Sequence, residues 1–475
     1  MRRKAGIVIG TCAALVLAGT AGALVAAQTG GEPGGSWHEA PGTPRTPVAE
    51  RGYAPATAAP LITPTTVITP GASVSAATST TAPGAPVAPS EPGERRTEAA
   101  TAHPQDRRLE SATAPPSRRQ KIGTLKRVEK LLGYVAGPQR QEFEYPGASY
   151  VKVHFDRLEM LPGDYVTVSN PAGTESYRYE SDTDGRWAMS VTGDTAIVEV
   201  HRKADPLGAG DTLGDLGVEI DKVARGDSRP PVRESARADR SPDRSKAGPG
   251  REESVCGTDT STDAVCYESK DPVAYTKSKA IARLLINGTE LCTGWRIGAK
   301  NRMITNNHCL TSSDEAYDTE VWFNYQCAKC GGYDVFKPTK VWGDKVLATD
   351  KTYDYTLFSV DGFAQVEKFG YLTLDTVRPK KGQQLYVPQH PAGEPARIAG
   401  SKGEAAGNCE VDNPDYTGYA AHSDVSYYCD TAGGSSGSPV ISRATNRVVA
   451  LHHFGGCPNS GVRGDLLAGR LRPYL

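Results

Sequence analysis

The stretch from Gly433 to Pro439 places serine hydroxyls on a loop made of the smallest residues. It reads Gly-Gly-Ser-Ser-Gly-Ser-Pro and leads into an apolar run that begins at Val440. Small residues let the backbone bend sharply and let a substrate carbonyl approach the backbone N–H groups. Acyl transfer needs that arrangement, an exposed hydroxyl nucleophile with donors aimed at the oxyanion that forms beside it. The alternative is a Gly/Ser loop without chemistry.

A histidine and an aspartate upstream are candidates for the other groups that a serine nucleophile requires. His308 follows an apolar segment and directly precedes Cys309. A structural or metal-binding histidine is the alternative, but no second ligand at metal spacing lies nearby in the sequence. Asp354 opens a predicted apolar strand, with Asp350 and Asp361 as local competitors. An isolated aspartate at such a place is most often a turn or capping residue.

The order of the three candidates along the chain is more specific than any one of them. The sequence presents them as His308, then Asp354, then Ser436. Chymotrypsin has its triad in that order, whereas subtilisin and the α/β-hydrolases have two other orders. The joint pattern therefore predicts hydrolysis by a serine nucleophile with a histidine base and an orienting aspartate.

The segment from about residue 254 to 475 resembles the trypsin-like serine endopeptidases, and among them the bacterial lysyl endopeptidase branch. Short apolar strands separated by turn residues fill this segment, which agrees with a closed β architecture. The resemblance implies an all-β fold of two six-stranded antiparallel barrels with the active site in the cleft between them. The motifs that carry it are Leu291-Cys292-Thr293-Gly294, Asn307-His308-Cys309, Trp322-Phe323-Asn324-Tyr325-Gln326, Asp354-Tyr355-Thr356-Leu357, Gln389-His390-Pro391 and Gly434-Ser435-Ser436-Gly437-Ser438-Pro439.

By this resemblance, each site residue receives a role. Ser436 attacks the scissile carbonyl, His308 takes its proton and delivers it to the leaving amine, and Asp354 holds the imidazole. The N–H groups of Gly434 and Ser436 form the oxyanion hole. His390, beside a proline in a turn, is expected to be structural. The residues expected to pair with the substrate backbone are His453, Phe454 and Gly455.

Substrate preference is predicted from Asp430, six residues before the nucleophile. In trypsin-like enzymes that place is the floor of the primary pocket, and a buried carboxylate there needs a cationic partner such as an arriving Lys or Arg. Lysyl endopeptidases often use an aspartate nearer the C-terminus, for which Asp465 is a weaker candidate. Glutamyl endopeptidases, the alternative, have a similar His-aromatic-Gly-Gly stretch whose histidine, here His453, binds the substrate carboxylate. An aspartate on the pocket floor would repel that carboxylate, so cleavage after Lys or Arg is preferred.

Ser435 departs from the trypsin pattern. Trypsin-like zymogens have an aspartate there, which pairs with a freed N-terminal amine, and a serine has no charge to offer. Activation by that ion pair is therefore not expected. Removal of residues 28 to about 253 could still uncover the cleft.

The cysteines indicate an oxidising compartment. Of the 10 cysteines, Cys12 lies in a predicted signal peptide, and the other nine all follow residue 255. An odd number leaves one thiol over. The resemblance suggests disulfides Cys292–Cys309, Cys256–Cys457 and Cys266–Cys330, to which Cys409–Cys429 would add a fourth. Cys327 is then the odd residue, although Cys327 and Cys330 could exchange roles.

Two segments precede the predicted ordered regions. Residues 1–27 predict a secretory signal, with a basic start, an apolar stretch and small residues at its end. A signal of this kind predicts that the protein is secreted. The alternative is that the segment is not cleaved and anchors the protein at the cell surface. Residues 28–121 are rich in Pro, Ala and Thr with few aromatics, so we predict a disordered stalk. Once the signal is cleaved, no stable membrane insertion is expected.

A small all-β domain is predicted over residues 122–224. Its segments alternate apolar and polar residues and are separated by turn signals, which favours a sandwich. Before Gly133, Leu125 to Leu132 have helical spacing, so a short helix is predicted there. The domain has no catalytic constellation, and its expected roles are prodomain, substrate-binding module or spacer, with a ligand that the sequence does not identify. Residues 225–253 are an Arg- and Pro-containing linker and a candidate processing region.

Overall charge excludes some classes of partner. Lys and Arg number 54 against 55 Asp and Glu, which gives a net charge of −1. There is no strongly basic field for nucleic acid or anionic membrane. The sequence thus predicts a secreted serine endopeptidase that acts on polypeptides and needs no metal or cofactor. A binding or adhesion protein built on an inactive protease fold is the rival hypothesis.

Overall fold

A computed structural model of the protein describes the backbone of residues 37–38 and, beyond them, residues 119–133, 138–181, 186–202, 216–228, 254–400 and 409–475. The predicted signal peptide and most of the predicted stalk and linker lie outside these residues. Within the described residues, no helix has both the length and the apolar character needed to span a bilayer.

The elements among the described residues before residue 229 are all β-strands. Its strands are β1 (Trp37–His38), β2 (Gln120–Lys121), β3 (Gly123–Gly133), β4 (Arg140–Glu144), β5 (Tyr150–Glu159), β6 (Tyr165–Ser169), β7 (Ser176–Tyr179), β8 (Arg186–Trp187), β9 (Val191–Thr192), β10 (Thr195–His201) and β11 (Gly217–Gly226). Strands β1 and β2 both lie inside the predicted stalk, residues 28–121.

Strands β3 to β11 form a two-sheet sandwich, here called the β unit. One sheet has the order β4-β10-β6-β7, and the other has the order β3-β11-β5-β8 with β9 paired to β5. Apolar side chains of both sheets, among them Val153 and Val168, share one core. Alternating strands thus bury one face each against the other sheet, as predicted.

The helix predicted over Leu125–Leu132 is wrong, because this segment is strand β3. Leu125 and Leu131 are 52% and 53% exposed, whereas Leu132 is fully buried. The residues at helical spacing therefore do not share a buried face. Pairing of β3 along nearly the whole of β11 supplies the backbone hydrogen bonds and outweighs the local pattern.

The remaining described strands and all of the described helices lie in the second part of the chain, from residue 254. Its strands are β12 (Thr262–Asp263), β13 (Ile281–Ile286), β14 (Glu290–Arg296), β15 (Met303–Thr305), β16 (Glu320–Phe323), β17 (Val335–Phe336), β18 (Thr339–Asp350), β19 (Tyr355–Val360), β20 (Leu385–Gln389), β21 (Arg397–Ala399), β22 (Val411–Tyr416), β23 (Asp424–Tyr427), β24 (Pro439–Ser442), β25 (Val448–Phe454) and β26 (Asn459–Arg463). Its α-helices are α1 (Tyr267–Lys270), α2 (Pro272–Ser278), α3 (Ser313–Tyr317), α4 (Phe363–Val366) and α5 (Gly464–Leu471), and its 3₁₀ helices are Ala264–Cys266, Glu367–Phe369 and Pro391–Gly393.

Two sheets make up this part of the chain. The first has the order β13-β16-β18-β19-β15-β14, and pairing of β13 with β14 closes it into a six-stranded barrel, to which β2 adds. The second has the order β12-β21-β20-β24-β25-β26-β23-β22. The predicted all-β, trypsin-like fold is confirmed. Closure of a second barrel stays a prediction.

Apolar side chains from both sheets meet in a common core. Trp295 and Leu357 of the first sheet belong to the same buried cluster as Ile441 and Leu451 of the second. Each of these four side chains is fully buried. Burial of this size fixes the two sheets against each other, and with them the loops that each contributes to the site.

The β unit is joined to the first barrel by buried polar contacts, and all residues from Arg119 onward belong to one compact unit. Lys152 Nζ of the β unit lies 2.7 Å from Glu320 Oε1 of β16, with both side chains fully buried. The Ser190 backbone N–H and hydroxyl also donate to Glu320, at 2.8 and 2.7 Å. Breaking such a pair strands a buried charge, so this junction favours one fixed arrangement.

The structure contains all four predicted disulfides. They join Cys256 to Cys457, Cys266 to Cys330, Cys292 to Cys309 and Cys409 to Cys429. Cys327 is buried and lies outside these four bridges. The Cys292–Cys309 bridge ties β14 to the loop that carries His308.

Candidate active site

The structure brings together the three residues predicted for the triad. His308 Nε2 lies 2.9 Å from Ser436 Oγ, and His308 Nδ1 lies 2.8 Å from Asp354 Oδ2. His308 comes from the loop after β15, Asp354 directly precedes β19, and Ser436 directly follows a turn before β24. The imidazole thus stands between a hydroxyl and a carboxylate, which is the arrangement that lets it take a proton from the hydroxyl.

Asp354 is held in place by its own backbone conformation and by its neighbours. Its φ of +45° is in the left-handed region, which aspartate tolerates better than most residues. The His308 N–H donates to Asp354 Oδ1 at 2.9 Å, and Asn306 Nδ2 donates to the Asp354 carbonyl at 2.9 Å. Both carboxylate oxygens therefore face the His308 loop.

Burial and charge act in opposite directions on Asp354. Burial favours the neutral acid, but attraction to His308 and hydrogen bonding with His308 and His453 hold the pKa of Asp354 well below its usual range. The carboxyl group is therefore ionised at neutral pH. An ionised, fixed acceptor orients the histidine and stabilises the imidazolium that forms when the serine proton leaves.

A tight turn shapes the backbone before Ser436. The Ser435 N–H donates to the Ala432 carbonyl at 2.9 Å, and Gly434, the third residue of this turn, has a φ of +96°. A positive φ at the third position identifies a type II turn, which glycine adopts without strain. The Ala432 N–H donates to Ser435 Oγ at 3.2 Å. The hydroxyl of Ser435 thus helps to close the turn without any charge.

His453 lies behind the triad. Its Nε2 is 2.6 Å from Asp424 Oδ2, and its Nδ1 is 3.3 Å from Asp354 Oδ2. The side chain is buried, so only the backbone of His453 is left for the predicted pairing with substrate, which stays a prediction. Burial lowers the pKa of His453, but Asp424 and Asp354 outweigh it and raise that pKa to about 9. A cation therefore lies beneath the triad carboxylate at neutral pH.

The other residues predicted to line the cleft have different outcomes. The Phe454 side chain is fully buried and stacks on His453, with ring centroids 3.8 Å apart. Pairing of substrate with the backbone of Phe454 and Gly455 stays a prediction. Asp465 forms a bidentate ion pair with Arg463, at 3.1 and 2.6 Å, so its carboxylate is already neutralised within the protein.

Asp430 is buried beside the segment that starts this part of the chain. Oδ1 accepts from the Cys256 N–H at 3.1 Å, and Oδ2 accepts from the Thr260 N–H at 2.9 Å and its hydroxyl at 2.8 Å. No cationic side chain among the described residues forms an ion pair with this carboxylate. Burial raises the pKa of Asp430, and the bonds from Thr260 and Cys256 offset that only in part.

Two histidines near the site are neutral. Burial lowers the pKa of His390 and of His452 to about 3 in each case. The backbone of His390 is held against β14, because its N–H donates to Thr293 Oγ1 at 3.1 Å. His452 Nδ1 lies 2.7 Å from the Tyr427 hydroxyl. These contacts agree with a structural role for His390.

Sequence reasoning missed Asp424 and the segment Arg119–Gln120. Asp424 was not singled out, and no local motif marks it, because it meets His453 only when β23 pairs with β26, beside β25. Arg119 and Gln120 were assigned to the stalk, yet β2 pairs with β14 next to the triad. The paired arginines at 118 and 119 are the one signal that could have drawn attention to this segment.

One group of possible metal ligands lies at the site. The ligand atoms of Cys292, His308 and Cys309 are within 4.8 Å of one another. The two cysteine sulfurs are bonded to each other, so neither is available as a thiolate ligand. The donor set does not fit a metal ion.

Comparison with known proteins adds a family to this geometry. A family model described as a trypsin-like peptidase domain matches residues 292–451. The secreted RxLR effector protein 73 of Plasmopara viticola is 31% identical over 340 residues, which are 68% of this chain and 79% of that protein. The uncharacterized protein y4fB of Sinorhizobium fredii is 28% identical over 192 residues, which are 38% of this chain. This chain covers only 28% of that second relative.

Solved protease structures are similar to less than half of this chain. A Glu endopeptidase in complex with MPD is 18% identical, with a TM-score of 0.34, and the match covers 46% of this chain and 98% of that one. A serine endoprotease from Yersinia pestis is 11% identical, with a TM-score of 0.31, over 43% of this chain and 65% of that one. At such low identities and scores, neither likeness bears on substrate.

Proposed function

This chain belongs to the trypsin-like peptidase family, and on that premise we propose that it is a secreted serine endopeptidase with His308, Asp354 and Ser436 as its triad. The single observation that carries the proposal is the position of the His308 imidazole, 2.9 Å from the Ser436 hydroxyl and 2.8 Å from Asp354. These are hydrogen-bond distances, so the base and nucleophile already stand in reactive contact. The secreted relative from Plasmopara viticola and the disulfides support export.

In this mechanism, Ser436 Oγ attacks the scissile carbonyl while His308 Nε2 takes its proton. His308 then delivers that proton to the leaving amine, and water hydrolyses the acyl-enzyme. The turn at Gly434 supports an oxyanion hole formed by the N–H groups of Gly434 and Ser436. Loss of one such donor typically lowers the rate ~10²–10³-fold.

Cleavage after Lys or Arg is the specificity that Asp430 supports best. Its buried carboxylate accepts three hydrogen bonds from neutral donors and has no ion pair among the described residues. A carboxylate has about four lone-pair positions, so one remains for a substrate cation. An arriving ammonium or guanidinium would remove the penalty that burial places on the charge.

Cleavage after Glu is the second candidate, and the surroundings of His453 argue against this histidine as the group that binds a substrate carboxylate. His453 already faces Asp424 and Asp354, at 2.6 and 3.3 Å, so a substrate carboxylate would be a third negative charge. His452 is the neighbouring histidine on the same strand, and its Nδ1 already lies 2.7 Å from the Tyr427 hydroxyl. Since His452 is neutral, it offers such a carboxylate at most a neutral donor.

Labelling by a fluorophosphonate probe tests the activity. We expect the secreted full-length protein to be labelled, and Ser436→Ala to lose labelling and at least ~10³-fold in peptide hydrolysis. Ser438→Ala, a buried serine of the same loop, is the matched control and should be labelled. Equal labelling of the Ser436→Ala variant, or none of the folded wild type, would favour an inactive protease-fold binding protein.

A peptide panel tests the specificity. Substrates that differ only in Lys, Arg, Glu or Leu before the scissile bond are compared by kcat/KM. We expect Lys and Arg to exceed Leu by ~10²-fold or more, since a buried ion pair adds several kcal/mol. A preference for Glu would overturn the assignment of Asp430.

A further inference from the structure

Strand β2 lies along the strand that leads into the active site. Gln120 pairs with Leu291 and Lys121 with Glu290, in antiparallel register. Just beyond them, the Ile122 N–H donates to the Thr289 carbonyl at 2.9 Å. The Thr293 N–H of the same β14 strand donates to the Ser436 carbonyl at 2.9 Å. The chain from Arg119 to Ile122 is therefore laid down as an added strand beside the nucleophile.

Arg119 is fixed at the histidine end of this strand. Its guanidinium pairs with Glu290 at 3.0 Å and with Glu315 at 2.6 Å, and its side chain is only 10% exposed. Its Nε donates to the His308 carbonyl at 3.2 Å. Two carboxylates and the backbone of the triad histidine thus hold Arg119 at the edge of the reaction centre.

Gln120 covers the loop that forms the predicted oxyanion hole. A Cβ atom built at Gly433 would meet Gln120 Oε1, so the end of the Gln120 side chain lies directly against this glycine. Gly433 is followed directly by Gly434. Gln120 and Arg119 therefore flank the site from opposite sides, one at the serine loop and one at the histidine loop.

The direction of the segment Arg119–Ile122 shows which of its ends lies nearer the triad. From Arg119 the polypeptide runs away from His308 along β14 and ends in a buried apolar cluster that contains Ile122, Leu291 and Trp322. The backbone nitrogen of Arg119 is thus the end of the segment nearest the triad. A substrate's leaving group has this orientation, with its amine towards the histidine that protonates it.

We propose that the protein cleaves its own chain at the peptide bond to the Arg119 nitrogen, with Arg119–Ile122 as the leaving-group side. The inference rests on the proposed function and names one substrate of that site. In the sequence, the residue on the acyl side of this bond is Arg118. An arginine there agrees with cleavage after Lys or Arg.

The chemistry of the step balances within the triad and one water molecule. Ser436 Oγ bonds to the carbonyl carbon of Arg118, and its proton passes to His308 Nε2. The bond to the Arg119 nitrogen breaks, and that nitrogen receives the proton as a free amine. Water then hydrolyses the ester, which restores the Ser436 hydroxyl and leaves a carboxylate on Arg118. The new amino terminus stays paired on β14, where it competes with the leaving-group side of other substrates.

Mass spectrometry and N-terminal sequencing of the secreted full-length protein test the inference. We expect the wild type to yield a chain that begins with Arg119, and the Ser436→Ala variant to remain uncut at this bond. Because the segment docks in its own cleft, the first-order rate constant should not change over a tenfold dilution. A rate that scales with concentration, or a different new terminus, would overturn the inference.

A second variant separates docking from catalysis. Glu290→Gln with Glu315→Gln leaves the cleaved sequence and the triad unchanged but removes both ion pairs of Arg119. We expect self-cleavage to slow about tenfold, since each partly buried ion pair contributes about a factor of three. Glu268→Gln, an exposed site on α1, is the control and should cleave at the wild-type rate. Wild-type protein that is labelled by fluorophosphonate yet never cut at Arg119 would overturn this inference and leave the proposed function standing.

Discussion

Two buried aspartates near Ser436 have opposite electrostatic surroundings. Asp354 and Asp430 are 1% and 5% exposed, and each accepts hydrogen bonds from backbone N–H groups. The pKa of Asp354 is held well below its usual range, whereas burial raises the pKa of Asp430. Burial alone therefore does not decide the charge state of these carboxylates.

The difference lies in the basic side chains that each carboxylate can reach. Asp354 faces the imidazoles of His308 and His453, at 2.8 and 3.3 Å. Asp430 faces only neutral donors, from Cys256 and Thr260. The Asp354 carboxylate has its basic partners within the protein, as a group that positions a histidine should. The Asp430 carboxylate lacks a counter-charge, as a group that binds a cationic substrate should.

The largest expected effect is at Asp354. Asp354→Asn keeps the size of the side chain but presents an amide to His308, which favours the wrong tautomer of the imidazole. We expect kcat to fall ~10³–10⁴-fold. The measurement is peptide hydrolysis at saturating substrate, with folding checked by circular dichroism. A folded variant that retains a tenth of the wild-type rate would contradict the role of Asp354.

A smaller effect, confined to substrate preference, is expected at Asp430. Asp430→Ala should lower kcat/KM for Lys and Arg peptides about 30-fold or more, since losing one partner of a buried charge pair costs at least ~2 kcal/mol. Leu peptides should change less. The measurement is the ratio of kcat/KM between Arg and Leu peptides.

Thr260→Val is the control that separates charge from packing at this place. It removes the hydroxyl donor to Asp430 but keeps the carboxylate and the backbone N–H donor. We expect the Arg-to-Leu ratio to stay within about fivefold of the wild-type value, because one of several hydrogen bonds to the carboxylate is worth ~1 kcal/mol. Equal loss of the ratio in both variants would mean that Asp430 acts only by holding the Thr260 segment.

The comparison also shows what the sequence could reveal. The grouping of His308, Asp354 and Ser436 was predictable because each stands in a local motif, and their order along the chain adds a constraint. The position of Asp430 was predictable by its spacing from Ser436, but its donors were not, since Cys256 and Thr260 lie about 170 residues away. Long-range contacts of this kind carry no local signal.

The failures have the same physical cause. Leu125 to Leu132 have helical spacing, yet pairing with β11 makes them a strand. The order His453-Phe454-Gly455 gave no indication that the His453 ring would lie 2.6 Å from Asp424, on β23. Composition assigned Gln120 to a stalk, because a two-residue strand has too few residues to leave a periodic pattern. Each error concerns a partner supplied by a distant strand.

The smallest expected effect is a pH dependence of the free energy of unfolding that comes from His453. This histidine is the cationic neighbour of Asp354, and Asp430 has no counterpart to it. The pKa of His453 is about 9 in the folded protein and about 6.5 when unfolded. A raised pKa stabilises the fold fully below pH ~6.5, and this contribution is lost as the pH rises through about 9. We expect the stability advantage of the wild type over His453→Gln to shrink by about 1–3 kcal/mol between pH 6.5 and 9.5. Urea unfolding at both pH values measures it.

The difference between the two proteins, rather than either curve, isolates His453, because other groups titrate equally in both. The groups that face its imidazole are Asp424, Asp354 and the neighbouring His452. Glutamine cannot carry charge, so Asp354 would keep only the His308 imidazole as a basic neighbour and become more like Asp430. An advantage that is constant from pH 6.5 to 9.5 would show that His453 is neutral throughout. The contrast between the two carboxylates would then depend on His308 alone.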